Sequence, residues 1–296
     1  MRNIPALLLA LIMTIPGVNA QQPIRVYEDS VSFGKSKHPG VVVTIPEANY
    51  EKLQKDWKKE LEAKTKSKVV IENGEWSIFG ANVKNLSPTP VNIYSKLTNL
   101  DSLVELRAVV ELKKDVYVER QSTEMLGLKN YLKEFSKNQY LETAGSQLKI
   151  EEDTLRQLKK MLSDYEKSES NLKEDIKSSK KSIKEEEDNI SALNSELETL
   201  GPEIDNQNTQ LSAMTDGSTK DDKAKFIKDL EKRKKKLGND IESSEKKIKK
   251  ANKVIEDAEK EIPEKQSLQE DMKKKIAAQE LVVQKYQQKL DVIKTY

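Results

Sequence analysis

The sequence predicts an α+β head, a two-layer sandwich, followed by a long antiparallel coiled-coil helical hairpin, so that the chain is predominantly α overall. Three observations predict it. Short β-branched runs separated by turn residues are confined to positions 21–120. From Leu141 an apolar repeat of period seven runs almost to the C-terminal Tyr296. That repeat is interrupted once, by the small polar run TDGSTKDD beginning at Thr215, and then resumes.

The first twenty residues are not part of the fold. Arg2 supplies a short positive region, Ala6 to Ile15 an apolar run, and Val18-Asn19-Ala20 a small-residue cleavage site. This is the pattern of a secretory signal peptide cleaved after Ala20. The apolar run is too short for a good transmembrane helix, and no other segment qualifies, so the mature chain is expected to be exported, periplasmic and without a transmembrane segment. The chain has no Cys, which excludes disulfides, thiolate metal sites and a lipid-modified cysteine.

Residues 21–120 form the expected head. Val26, Val31 and Phe33 read as extended, His38-Pro39-Gly40 as a turn, and Val41 to Ile45 as a strand. Pro46 suits the first turn of a helix over Glu47 to Lys66, with Tyr50, Leu53, Trp57 and Leu61 on its apolar side. Strands at Val69 to Ile71 and at Trp76 and Ile78 flank Asn73-Gly74, a tight-hairpin signal. Leu86 to Pro90 is a loop. Val91 to Leu97, with Val91, Ile93 and the Tyr94 ring as its apolar positions, and Leu103 to Leu112 are two further strands. Met125, Leu128, Leu132 and Phe135 mark a connecting helix, 121–140, whose apolar face is out of phase with the later seam and packs on the sheet. The two tryptophans are expected as core anchors.

The hairpin is expected as arm 1 over 141–214, a tip over 215–226 and arm 2 over 227–296. Leu141, Leu148, Leu155, Leu162, Ile176, Ile183, Ile190, Leu197, Ile204 and Leu211 share one heptad position, with Glu169 the exception. Such a seam, held over many turns, specifies a coiled coil. Pairing Met214 with Ile227 brings Leu211 to Leu230, Ile204 to Leu237, Leu193 to Ile248 and Leu158 to Val283, keeping the two rows opposed. It also sets the acidic run Glu185 to Asp188 beside the Lys-rich stretch 246–253. Pro202 and Pro263 are expected to kink rather than break the arms, which reach roughly 100 Å at 1.5 Å per residue. Polar seam positions, among them Glu169, Glu186, Gln207 and Gln269, are expected at its wet edge. A parallel dimer through each arm would use the same heptads, and a homo-oligomer stays open.

The run HPGVVVTIPEANYEKLQKDWKKEL, the later PVNIYSKL and the dense Lys/Glu heptads resemble a recurring type of exported protein from Bacteroidetes-type Gram-negative bacteria. The resemblance covers the mature chain. It implies export and a head-plus-hairpin layout, and it implies no catalytic residue, since the type carries no assigned activity.

Charged residues make up 34% of the chain and aromatics 5%, with a net charge of only +2, which is not a nucleic-acid-binding balance. The run Lys232 to Lys236 reads as a solvated helix face. His38 is the single histidine, so neither a multi-histidine metal site nor a convincing Ser/His/acid triad is available. No phosphate-binding Gly-rich loop occurs. Asp216, Ser218 and Asp222 at the tip fall short of a calcium loop, because Ile227 stands where its final glutamate belongs. No catalytic, cofactor-binding or metal residue is expected. The leading expectation is a non-enzymatic cell-envelope interaction protein, a coiled-coil spacer or scaffold with a small binding head and an unidentified protein partner. The alternatives are a periplasmic holdase chaperone of Skp/OmpH-like layout and a regulator of an envelope enzyme.

Overall fold

The computed structural model describes residues 23–63, 65–83, 86–215 and 217–296. The expected signal peptide, and Asp216 of the tip, lie outside these residues. The chain divides into two compact units. The head unit runs to Thr154 and takes in Gln279–Tyr296, while Leu155–Ala278 form the second.

The head is built on an antiparallel sheet. Strands β1 (Val26–Phe33) and β2 (Ser36–Pro46) form a hairpin, with Gly34 at φ +56° in the turn. His38-Pro39-Gly40 is therefore strand, not turn. Pro39 pairs with Ser30 where β2 has only β1 beside it, because pairing with β6 begins at Val41. At an edge the missing N–H of proline disrupts no ladder. Gly40 is needed for close approach, since a Cβ there would lie 2.5 Å from the Ala108 carbonyl oxygen.

Helix α1 spans Tyr50–Glu62, shorter than expected. Pro46 ends β2 instead of opening the helix, and Asn49 caps it by accepting the Lys52 N–H at 2.9 Å. Strands β3 (Val70–Glu72) and β4 (Glu75–Ala81) enclose the expected Asn73-Gly74 turn, both residues having positive φ as the favoured two-residue loop requires. Strands β5 (Val91–Leu100), β6 (Leu103–Lys113) and β7 (Val116–Tyr117) complete the sheet, in the order β1-β2-β6-β5-β4-β3 with β7 on β6.

Helix α2 (Thr123–Ser212) follows, opened by Ser122, whose Oγ accepts the Met125 N–H at 3.1 Å. It runs without a break through the expected junction at 140/141, so the connecting helix and the first arm are one element. Its Met125, Leu128, Leu132 and Phe135 join Leu53, Trp57 and Leu61 of α1 over one face of the sheet, against Val41, Val43, Ile45, Ile78, Ile93 and Leu106. Full burial of each large apolar side chain contributes about 1.5–3 kcal/mol. Both tryptophans are core residues, and the Trp57 indole N–H donates to Ser95 Oγ at 2.9 Å.

Helix α3 (Ser218–Lys294) begins in what the sequence suggested was still the tip. The turn is correspondingly tighter, with Gly217 accepting the Lys220 and Asp221 N–H groups. Both helices continue through their internal prolines, Pro202 and Pro263. In the second unit the two helices run antiparallel with the expected row facing row, and Leu200, Ile204, Ile227, Leu230 and Leu237 form its apolar cluster. The pairing, however, is displaced. Glu186 meets Lys247 and Asn189 meets Ser244, whereas the expected register puts Ile255 and Asn252 there, a slide of eight residues and so about one heptad. The acidic run still faces the Lys-rich stretch.

Candidate functional site: the uncovered sheet face and its surroundings

Helix α1 and the start of α2 lie on one face of the sheet, and strand alternation sends every second residue to the other. On that other face Val31, Val42 and Val109 form a small buried cluster with Tyr117, to which no helix contributes. Aromatic rings surround it. Phe33 and Tyr94 have centroids 4.9 Å apart, Phe79 meets Tyr94 edge-on at 6.2 Å, and His38 stacks on Tyr117 at 3.6 Å. Phe79 is 51% exposed and Tyr27 43%. Tyr94 thus belongs to this face, not to the apolar stripe with Val91 and Ile93 expected for β5.

Glu111 anchors the polar part of the face. Its carboxylate accepts Asn92 Nδ2 at 2.7 Å, the Tyr94 hydroxyl at 2.9 Å and the Asp115 N–H at 2.9 Å. The Asn92 bond, above all, holds the carboxyl below its ordinary range. Burial, reinforced by Glu111, pushes the Tyr94 phenol up to about 12. Three donors converge on this carboxylate, so the arrangement stiffens a surface and keeps Glu111 ionised. At the β1 side Arg107 pairs with Glu105 at 2.6 Å and reaches Asp29 at 3.9 Å.

A second cluster sits where the ends of α2 and α3 meet within the head unit. Glu47 lies between β2 and α1 at φ +54°, a left-handed conformation that is rare for a non-glycine residue. Its carboxylate accepts Lys289 Nζ at 2.6 and 2.8 Å and Gln147 Nε2 at 3.4 Å. Lys289 lies 5.6 Å from the centroids of the Tyr140 and Tyr286 rings. Tyr140, Ala144 and Ile293 are buried beside this cluster with Tyr296 packed against them, so the C-terminus does return to the head.

The third feature is a concavity of about 460 Å³ along the C-terminal half of α1, lined by Lys55, Lys58, Lys59, Glu62, Ala63 and Lys68. Glu62 takes Lys68 and the Val69 N–H. Lys55, Lys58 and Lys59 are exposed and make no ion pair among the described residues.

The seam of the second unit carries polar side chains in its interior, contrary to the expectation of a wet edge. Glu169 and Gln269 are buried, and Glu169 accepts Gln266 Nε2 at 2.8 Å and Gln269 Nε2 at 2.7 Å. Lys173 first, then these two amides, bring the Glu169 carboxyl down to about 2. The side-chain carbonyl oxygen of Gln207 is buried without a hydrogen-bond partner among the described residues. Lys234 of the basic run is exposed, and its neighbours Lys232 and Arg233 pair with Asp229 and Glu196.

Among the described residues no group of three or more His, Cys, Asp and Glu side chains gathers as a metal site, and no helix is long and apolar enough to cross a membrane. No protein-family model and no curated protein matches the chain. Among solved structures it is similar to a coiled-coil segment of Smc from Pyrococcus yayanosii, at 20% identity and a TM-score of 0.44, over 53% of this chain and 66%, just under two thirds, of that one. A likeness at this level bears on no property of this chain beyond itself.

Proposed function

We propose that this is a non-enzymatic structural and interaction protein of the cell envelope, exported by residues 1–20 and cleaved after Ala20. In this reading the head binds a protein partner and the coiled-coil hairpin serves as spacer or scaffold. The observation that carries the reading is the uncovered sheet face. It presents Phe79, Phe33 and Tyr94 beside the hydrogen-bonded Glu111 set, in a head whose core is already complete on the opposite face. Exposed aromatics on a rigid support are suited to partner recognition. The two long helices, 90 and 77 residues, bury Leu200, Ile204, Ile227, Leu230 and Leu237 in the seam between them.

The test has two parts. Residues 1–20 fused to a reporter enzyme that folds only outside the cytoplasm should confer activity in a Gram-negative host. In addition, crosslinking in whole cells should trap a partner with the native chain, and Phe79→Ala with Tyr94→Ala should lose it. A reporter that stays inactive, or a crosslinked product indifferent to those substitutions, would overturn the proposal.

A further inference from the structure

We infer that the β3 edge of the head is a docking site for an extended acidic peptide segment, which adds to the sheet as a further strand. This rests on the reading of the head as the binding part and names the chemistry of a partner at a surface distinct from the aromatic face.

Two independent observations lead there. The first is the strand itself. β3 is the last strand in the sheet order and has β4 on one side only. Its residues are all exposed, Val70 by 44% and Ile71 by 48%. Register decides which backbone groups face outward. The two-residue turn Asn73-Gly74 is closed by Glu72 opposite Glu75, a hydrogen-bonded pair, so Ile71 opposite Trp76 is a non-hydrogen-bonded position. The N–H and C=O of Ile71 therefore point to the open edge. Natural edges are blunted by shortness, charged side chains, a bulge, a proline or a covering element, and β3 is short, at three residues. Among the described residues it has no bulge, proline or covering element, and the one neighbouring donor on that edge, the Val69 N–H, is already held by Glu62 at 3.1 Å.

The second observation is charge. Trp76 is a core residue beneath the helices, so its cross-strand neighbour Ile71 also faces the helix side. Alternate side chains of an added strand would face that side too, toward the concavity lined by Lys55, Lys58, Lys59 and Lys68. Of these only Lys68 makes an ion pair among the described residues, with Glu62 at 3.1 Å. Three lysines without ion pairs select carboxylates at every second position. Main-chain bonds supply the pairing and alternate side chains the specificity, as in strand addition generally.

The experiment titrates the chain, residues 21–296, into fluorescently labelled acetyl-Glu-Val-Glu-Val-Glu-Val-Glu-amide at low salt and follows anisotropy. Two control peptides accompany it, one with Lys for every Glu and one acidic peptide with Pro at its centre, which cannot pair. The acidic peptide should bind at least tenfold more tightly than either control. The gain should vanish in the triple variant Lys55→Glu, Lys58→Glu, Lys59→Glu, whose exposed sites lie outside the core. No saturable binding, equal binding of the proline-broken peptide, or attachment to vesicles of anionic lipid without peptide binding would each overturn the inference. If the peptide fails while Phe79→Ala with Tyr94→Ala still abolishes partner crosslinking, this inference falls and the proposed function stands.

Discussion

The Glu47–Lys289 pair should be a measurable clasp within the head unit. Lys289 is 10% exposed at its side chain and Glu47 31%, and the ammonium reaches both carboxylate oxygens. Fully exposed pairs contribute about 0–1 kcal/mol, and breaking a fully buried one costs about 3–5 kcal/mol. With one partner nearly buried and the other a third exposed, a coupling of about 2 kcal/mol is expected. The assay is a double-mutant cycle of Lys289→Met, Glu47→Gln and the pair, by urea denaturation. The readout is tryptophan fluorescence, because both tryptophans of the chain lie in the head core and report on nothing else. Each single variant should also lower Tm by about 4–8 °C. A coupling below about 0.5 kcal/mol would show that solvent already screens the pair. Glu47→Gly separates strain from pairing: it should be about 1 kcal/mol more stable than Glu47→Ala, because glycine adopts the φ of +54° without penalty.

Other perturbations have equally definite outcomes. Ser95→Ala leaves the buried Trp57 indole N–H without its acceptor and should cost about 1–3 kcal/mol in the same denaturation assay. Gly40→Ala drives a methyl to 2.5 Å from the Ala108 carbonyl oxygen, an overpacking against backbone expected to cost about 1–3 kcal/mol or more, read as a lower urea midpoint. Cysteines at Asn189 and Ser244 should form an intrachain disulfide at monomer mass far faster than cysteines at Asn189 and Asn252; the reverse order would reinstate the register expected from heptads alone. The Glu169 carboxyl sits at about 2 against an ordinary 4.5, so its contribution is complete above 4.5 and is lost as pH falls toward 2. Helical circular dichroism of Glu169→Gln should accordingly lack part of the acid-induced loss seen in the native chain over that window.

Much of this architecture is legible in the sequence because its signals are local. The heptad rows, the Asn73-Gly74 turn and the Leu53, Trp57, Leu61 stripe each depend on spacing within one element. The register of the hairpin is not local in that sense. Sliding one arm by a heptad keeps both rows opposed, so apolar matching cannot separate Ile204 facing Leu237 from a pairing one heptad away. The polar contacts decide it, Glu186 with Lys247 and Glu169 with Gln266 and Gln269, and each needs a partner from the other arm. His38-Pro39-Gly40 misleads because proline and glycine usually mark turns, yet here they sit where β2 lacks its second neighbour and where Ala108 approaches closely. The aromatic face is hidden for a related reason. Phe33, Phe79, Tyr94 and Tyr117 come from four strands, and only the strand order brings them together. Strict alternation along β5, with Asn92 and Tyr94 opposite in facing to Val91 and Ile93, is the signal that could have flagged Tyr94.

The bond from Lys289 to Glu47 spans 242 residues, and Ile293, three residues from the chain end, is fully buried against Tyr140. A chain made from its N-terminus therefore cannot complete the head unit until the last turns of α3 have been synthesised. Closing so long a loop in one step would be slow. The two arms offer a shorter route: once the turn at Gly217 forms, each added heptad pairs with one already present, and the ends approach by zippering, with only a short loop to close at each step. On this account folding starts at the point of the chain farthest in sequence from both ends of the hairpin. Strands β1 to β6, whose ladders are complete by Lys113, assemble early and wait for the last helical turn to seal them.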